Sequence, residues 1–501
     1  MPSPASVPDT ARTAVVDGTQ VALDEVERAV GALAQVGSAR VEVTTDQAGR
    51  ARLVAHVTRA PDGERATEVE SRRVDEWHRI YEWVYGELPQ SGGFGDNFVG
   101  WHSSYTSLPI PLTEMREWRD ATVARILEHR PRRVLEIGVG TGLLMASVAP
   151  HVEHYLATDF SPTAIRRLTE QLAALPELAA RVSLRVQEAN DFTGLADQPF
   201  DLVVINSVAQ YFPNADYLAE VVGGALSLVR PGGAVFAGDI RNLRLLPGFR
   251  TAVLGRTLLG SDDPAEVAAT VRQSCQDERE LLIDPDFFAA VQDRTGLAGP
   301  LDLRVKRAAH HNELSRHRYD AVLYRAPAEA ADLAGAASLE WGRDLTSAEE
   351  LGKRLAEDAP EALRVLSVPN ARVRHEAEAA RLVQRQASAA DAVAALEAAA
   401  GDGPDPEDFE RVAAEHGYRA VLSWARSGEP DELELTLTRD AGRPVAVPYT
   451  PAGPLDLPYT AYGNDPARAA ANGFLASLRT ELAAVLTGPS MPSAFVLEDR
   501  A

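Results

Sequence analysis

One stretch limits the fold more than any other: Val134-Leu-Glu-Ile-Gly-Val-Gly-Thr-Gly142-Leu-Leu144. An apolar run ends in three closely spaced glycines and resumes as an apolar, helix-compatible segment. A strand turning sharply into a helix suits that order, because glycine enters positive φ at no steric cost. Such a unit buries its apolar faces only when repeated, and the sequence repeats it. Strands are expected at 133–137, 154–158, 182–188, 202–205, 234–239, 304–306 and 319–324. Helices are expected at 142–148, 161–175, 215–228 and 265–279, after a leading helix over 113–128. The alternation predicts an α/β chain with a doubly wound, mostly parallel sheet whose ligands sit at the carboxyl ends of the strands.

The ends of the chain read differently. A strand over 14–16, a turn at Asp17-Gly18 and a helix that Asp24 can cap come first. Val26, Ala29, Val30 and Leu33 give that helix an apolar face; strands over 39–44 and 52–58 follow, joined by a turn over 46–49. Ala60-Pro61-Asp62-Gly63 marks a boundary. A helix bearing Trp77, Ile80, Tyr81 and Val84 and a glycine-rich loop over 91–95 lead to the sheet. Beyond 326 the composition turns to Ala, Glu and Arg, with helices at 347–356, 371–387, 389–399 and 406–416 and strands at 363–368, 419–424 and 432–438. These make an α/β appendage with an exposed turn over 401–406. After the Pro-rich 448–458 come a helix over 466–486 and a strand over 493–497. The expected division is 1–62, 66–325, 326–453 and 454–501.

Composition removes whole classes of function. With 73 acidic against 50 basic side chains and a net charge of −23, nucleic acid is not an expected partner. Apolar runs break before the length that spans a bilayer, and the start lacks a secretion signal. The single cysteine, Cys275, leaves no internal disulfide framework and no Cys-rich zinc site, so a cytoplasmic location is expected. Lys306 and Lys353 are the only lysines, and no GxxxxGK[ST] loop exists, which excludes a P-loop hydrolase.

The glycine turn does not fit a dinucleotide fingerprint. Its third glycine follows the second by two residues, and Leu143 stands where GxGxxG needs Gly or Ala. Glu136, two residues before Gly138, favours a cationic sulfonium over a pyrophosphate. Asp159 closes the second strand, where an acid accepts both ribose hydroxyls, and Phe160 follows it. Asn190-Asp191-Phe192 ends the third strand, placed to bind an adenine amino group and stack on its ring. Asn206-Ser-Val-Ala-Gln-Tyr-Phe212 ends the fourth, where a methyl acceptor would sit, and 229–233 is read as the turn before the fifth. Each piece alone also reads as a satisfied loop or cap. Together, in register on successive strands, they predict an S-adenosylmethionine site built from Glu136, Gly138, Gly140, Gly142, Asp159, Phe160, Asn190, Asp191, Phe192, Asn206 and Ser207.

At these residues the chain resembles the methyltransferase domains embedded within nonribosomal peptide synthetase adenylation domains. The matching pieces are Phe98-Val-Gly-Trp-His-Ser-Ser-Tyr-Thr106, Val134–Leu144, Asn206-Ser-Val-Ala-Gln-Tyr-Phe-Pro213, Gly238-Asp-Ile-Arg-Asn242, His311-Asn-Glu-Leu-Ser-Arg-His-Arg-Tyr-Asp320 and Val368-Pro-Asn-Ala-Arg372. His102 departs from the family, where Asn is usual. The resemblance covers about 70–440 and implies a class I, Rossmann-like methyltransferase sheet with its appendage. Gln20-Val-Ala-Leu-Asp-Glu-Val-Glu27 with 52–57, and 474–486 with 491–497, resemble the two halves of an adenylation enzyme's small α+β C-terminal subdomain. The methyltransferase is thus expected to be inserted in that split subdomain. Neither lysine lies in the context that adenylate formation needs, so no adenylation by this chain alone is expected.

The family implies N-methylation of an aminoacyl or peptidyl thioester on a carrier protein, with a separate adenylation enzyme as a further partner. Candidates to accept or orient the amine are Asn206, Gln210, Tyr211, Asp239, His311 and Glu313. Asp239 reads equally as a cap, and His311 with Glu313 equally as a structural pair. Trp101, His102 and Tyr105 are expected in a lid or acceptor wall, and no metal is expected because the histidines lack HExxH spacing. Methylation of oxygen, sulfur or carbon, or of a free small molecule, would use the same donor site. A docking protein with a dormant methyltransferase fold is the non-enzymatic alternative.

Overall fold

In a computed structural model the described residues are 12–16, 18–33, 36–45, 50–59, 66–87, 92–196, 199–333, 335–398, 403–439 and 446–497. The expected boundary at 60–63, the turn over 46–49, and Asp17, Ser91 and residues 401–402 of other expected turns lie outside them. The chain forms two units, residues 72–465 and residues 1–71 with 466–501.

The sheet of the larger unit has seven strands: β1 (Arg133–Ile137), β2 (His154–Asp159), β3 (Val182–Val186), β4 (Phe200–Asn206), β5 (Val229–Arg241), β6 (Ala298–Val305) and β7 (Arg318–Arg325). Their order is β3-β2-β1-β4-β5-β7-β6, parallel from β3 to β5, with β7 antiparallel to both its neighbours. The order reverses at β1, so the glycine turn opens at the switch point, where ligands bind in doubly wound sheets. Val134 and Leu135 of β1 and Leu202 to Ile205 of β4 are buried, as central parallel strands with both faces covered require. Side-chain caps fix the ends of the crossover helices. Ser161 accepts from Ala164 N at the start of Pro162–Leu172, and Asn214 from Tyr217 N at the start of Ala215–Leu228.

Two departures from expectation have local causes. The expected turn over 229–233 is instead part of β5: a register shift between Phe200 and Leu202 inserts a bulge, and Gly232 takes φ +80°. Helix Asp286–Arg294 was not expected, because Asp286 to Val291 are all buried and leave no amphipathic period to read. The appendage forms a four-stranded sheet in the order Ala337–Glu340, Ala362–Pro369, Glu432–Arg439, Tyr418–Trp424. Its short, half-exposed edge strand 337–340 carries no apolar run and was not foreseen. Leu351, Val365 and Phe409 of the appendage share one apolar cluster with Leu301 and Leu323 of the seven-stranded sheet, so the appendage is fused to the core.

In the smaller unit a hairpin, Thr13–Val16 with Thr19–Ala22, runs directly into helix Leu23–Gly31. Ala22 therefore occupies the cap position, and Asp24 instead accepts from Arg12 N and Nε at 2.8 and 2.7 Å. Strand Ala494–Leu497 pairs in parallel with Ala51–Arg59, which pairs antiparallel with Val36–Thr45. Val26, Val30, Leu53 and Val57 pack with Leu478 and Leu482 of helix Pro466–Leu482, so segments from opposite ends of the sequence build one core. Among the described residues no helix is long and apolar enough to cross a membrane.

Candidate active site

A cavity of about 710 Å³ lies at the carboxyl ends of β1, β2 and β4. Gly138, Gly140 and Gly142 take φ values of +80°, +54° and +79°, which returns the chain from β1 to helix Leu143–Val148 in one tight loop. Gly138 N and Val139 N both donate to Thr158 O of β2, at 2.8 and 3.0 Å. A Cβ on Gly138 would stand 2.4 Å from Val208 Cγ2, so the backbone approaches this wall as only glycine permits. Gly138 and Gly140 line the cavity; Gly142 sits behind them against Leu168.

Two buried carboxyl groups face the cavity beside that loop. Glu136 Oε2 accepts from Tyr155 OH at 2.8 Å; burial, with Asp159 adding to it, pushes Glu136 up to about 8. Asp159 accepts from Gly140 N at 2.8 Å and Ser161 N at 2.9 Å, and burial still raises it to about 6. A cation docking here would favour the charged form of both. The strand-end glycines, the acceptor pair and Phe160 on the same wall therefore fit the donor expected from the sequence.

The third strand end departs from the expected register. β3 stops at Val186, and Gln187, Glu188 and Ala189 form the wall. Asn190 Oδ1 accepts from Tyr217 OH at 3.1 Å, exposed Asp191 caps Thr193 N at 2.9 Å, and the Phe192 ring packs on Gly224. None of these three, expected at the adenine, lines the cavity.

On the acceptor side Asn206, Ser207 and Tyr211 line the cavity, whereas Gln210 is buried off the wall. Asn206 Oδ1 is a buried acceptor with no hydrogen-bond partner among the described residues. Asp239 is fully buried at φ +61° and does not line the cavity. It accepts from Trp118 Nε1 at 2.9 Å, from Ser207 Oγ at 2.6 Å and from Arg318 Nη1, with Lys306 Nζ at 4.0 Å. Burial works to raise this carboxyl, but Arg318 and then Lys306 hold it below the usual range. Asp239 thus anchors three wall residues from behind the cavity. Glu313 does line the wall, with Ser104 N and Oγ donating to it at 2.6 and 3.0 Å. His311 lies away from the cavity, paired with Asp405 at 2.8 Å, so it forms no pair with Glu313. Trp101 and His102 line the cavity, and Tyr105 stands behind them, its hydroxyl 3.0 Å from Glu376 Oε1 and 2.8 Å from His317 Nε2.

Sequence reasoning missed Trp118, His317, Arg318 and Tyr85 on the same wall. It also missed a charged cluster in which Arg241 bonds Glu278 and Glu280 at 2.9 and 2.8 Å. Helix Ala66–Glu87 covers part of the cavity through Trp77 and Tyr81, whose rings lie 4.7 and 4.9 Å from that of Tyr211. The pairing of Arg318 with Arg241 across β7 and β5 brings these distant residues to one wall.

A family model described as a methyltransferase domain matches residues 135–235. Chondramide synthase cmdD of Chondromyces crocatus is 37% identical over 474 residues, covering 90% of this chain and 12% of that protein. A probable non-canonical nonribosomal peptide synthetase, CymA of Salinispora arenicola, is 35% identical over 440 residues, covering 88% of this chain and 5% of its own length. The beauvericin nonribosomal cyclodepsipeptide synthetase BEA1 of Gibberella fujikuroi is 28% identical over 440 residues, covering 83% of this chain and 14% of its own length. The chain thus spans a small fraction of these relatives. Residues 135–235 are a methyltransferase domain dependent on S-adenosylmethionine, in a chain homologous to segments of nonribosomal peptide synthetases.

Proposed function

We propose that the chain N-methylates the α-amine of an aminoacyl or peptidyl thioester held on a carrier protein. The observation that carries this reading is a similarity to nonribosomal peptide synthetases over nearly the whole chain, around a single large cavity wall that joins the donor edge to neutral polar acceptor residues. S-adenosylmethionine supplies the methyl group on a sulfonium when bound. Glu136 and Asp159 present carboxylates to it, and Gly138 and Gly140 let the backbone approach. Asn206 and Tyr211 orient the amine, and Asp239 fixes Ser207, Trp118 and Arg318 around it. The rings of Trp77, Tyr81 and Tyr211 exclude water from the reaction side. An α-amine has a reference pKa of about 7.7–8.0, so holding it in line with the methyl supplies most of the acceleration, up to about 7–11 kcal/mol for ideal alignment.

The smaller unit we read as an adenylation-type C-terminal subdomain split into two halves, supported by the shared core of Val26, Leu53 and Leu478. Carrier protein and a separate adenylation enzyme are the proposed partners. Labelled methyl transfer to a carrier-bound aminoacyl thioester, with fragmentation to locate the label, tests the reading. The label is expected on the α-nitrogen; label only on a free acceptor, or on oxygen, sulfur or carbon, overturns it.

A further inference from the structure

We propose that His317 takes the proton that the acceptor amine loses, and that Glu376 of the appendage positions its ring. The inference rests on the N-methylation reading above and adds the route of the proton. His317 follows the helical turn Glu313–Arg316 at the entry to β7 and is 7% exposed. His317 lies between the reaction cavity and a second cavity of about 220 Å³, bounded by Arg244, Gly248, Ala377 and Gln384, and lines both.

The ring's contacts suit a base. Nε2 shares a hydrogen bond with Tyr105 OH at 2.8 Å and lies 2.9 Å from Glu376 Oε2, while buried Nδ1 has no hydrogen-bond partner among the described residues. A carboxylate on one imidazole nitrogen fixes the tautomer and stabilises the cation that forms when the other nitrogen takes a proton. Glu376 is 2% exposed on helix Arg374–Gln384. Burial works to raise it, but His317 first, then Arg316 and His375, hold it down to about 2, so it stays charged. The other titratable groups acting on the ring are Tyr105 and, through its charge, His375; Phe249 packs on the ring at 4.9 Å and carries Arg241 and Arg250 over its own ring. Two of the acids on or near this wall are already engaged: Glu313 by Ser104, and Asp239 by Trp118, Ser207 and Arg318; His102 also lines it.

In the step, an ammonium N–H bond breaks and an Nδ1–H bond forms. The freed lone pair then makes the N–CH3 bond as the C–S bond breaks, with that electron pair remaining on sulfur. The proton on His317 leaves to water through the second cavity. The appendage thereby acquires a chemical role, since it supplies the carboxylate that sets the ring.

The test is kcat between about pH 6 and 9 for wild type, His317→Gln and Glu376→Gln on a carrier-bound aminoacyl acceptor, with donor affinity measured by calorimetry. His317→Gln is expected to keep donor affinity within about twofold and to lose about 10–100-fold in kcat near pH 6.5, with added imidazole restoring part of it. The deficit closes above about pH 8, where the amine is neutral unaided. Glu376→Gln shows the same pH-dependent deficit at smaller amplitude, and Glu376→Asp restores it. A deficit equal at every pH, or none near pH 6.5, overturns the proposal. Wild type alone decides where a variant does not fold: kcat falling about tenfold per pH unit below about pH 7.7 means no base acts, and also overturns it. Absence of any N-methylation by wild type would instead sink the underlying reading.

Discussion

Asp239→Asn isolates the charge that holds the acceptor wall. Asn tolerates the φ of +61° at this position as Asp does, so the backbone is not the variable. Asp239 receives donors from Trp118, Ser207 and Arg318, and Asn has one acceptor oxygen for them instead of two. Its amide NH2 must then face a donor, and the fully buried site loses the charge opposite Arg318. Removing one partner of a buried ion pair costs about 3–5 kcal/mol, mostly because the other charge stays desolvated and unpaired. All six tryptophans lie between Trp77 and Trp424, in the larger unit, so their fluorescence during urea unfolding reads that unit. The expected result at neutral pH is a lower midpoint with unchanged denaturant slope. The double variant Asp239→Asn/Arg318→Met should recover part of the loss. Asp239's folded pKa lies below its ordinary 3.8, so its stabilisation is present above that value and fades as the pH falls through the folded value. The wild-type advantage should shrink below about pH 4. A loss under about 1 kcal/mol at neutral pH, or a double variant no better than the single, refutes the argument.

Glu136, raised to about 8, binds its proton more tightly folded than unfolded, so its contribution to stability falls as pH rises from 4.5 through that value. A sulfonium beside it should expel the proton. Calorimetry of donor binding in buffers of different ionisation enthalpy should show net proton release near neutrality, which Glu136→Gln removes. Gly138→Ala places a Cβ 2.4 Å from Val208 Cγ2 at a φ of +80°. It should cost about 1–2 kcal/mol in backbone strain and weaken donor binding at least about tenfold; unchanged affinity would contradict the close-approach argument. Leu478→Ala, in a fully buried position, should cost the smaller unit about 2–5 kcal/mol. Faster hydrogen exchange in Ala51–Arg59 and Ala494–Leu497 would show it; unchanged exchange would mean that this helix does not support the sheet.

The legible parts of this molecule are those whose requirements are local. The glycine turn after β1 states its own backbone angles, and the alternation of apolar runs states a parallel sheet, so Glu136, Gly138, Gly140 and Asp159 could be placed on one edge from sequence. The caps Ser161 and Asn214 lie within three residues of the amides they accept from. Where β3 ends is less local: a strand stopping at Val186 moved the wall to Gln187–Ala189 and turned Phe192 onto Gly224.

The sequence by itself determined the sheet, the edge at which the cavity opens and the place of Glu136 and Asp159 on it. The tertiary structure alone decided which acceptor-side groups reach the cavity. Asp239, a strand-end acid by position, faces inward because Arg318 of β7 and Trp118 of helix Leu112–Glu128 converge on it. His311 and His317 look alike in sequence, yet one pairs with Asp405 away from the cavity and the other joins Glu376 on its wall. Lys306 is buried between Asp320 and Thr122, and no local pattern marks it. A side chain's direction at a strand end is set by partners far away in sequence, and those partners come together only when the antiparallel β7 closes on β5.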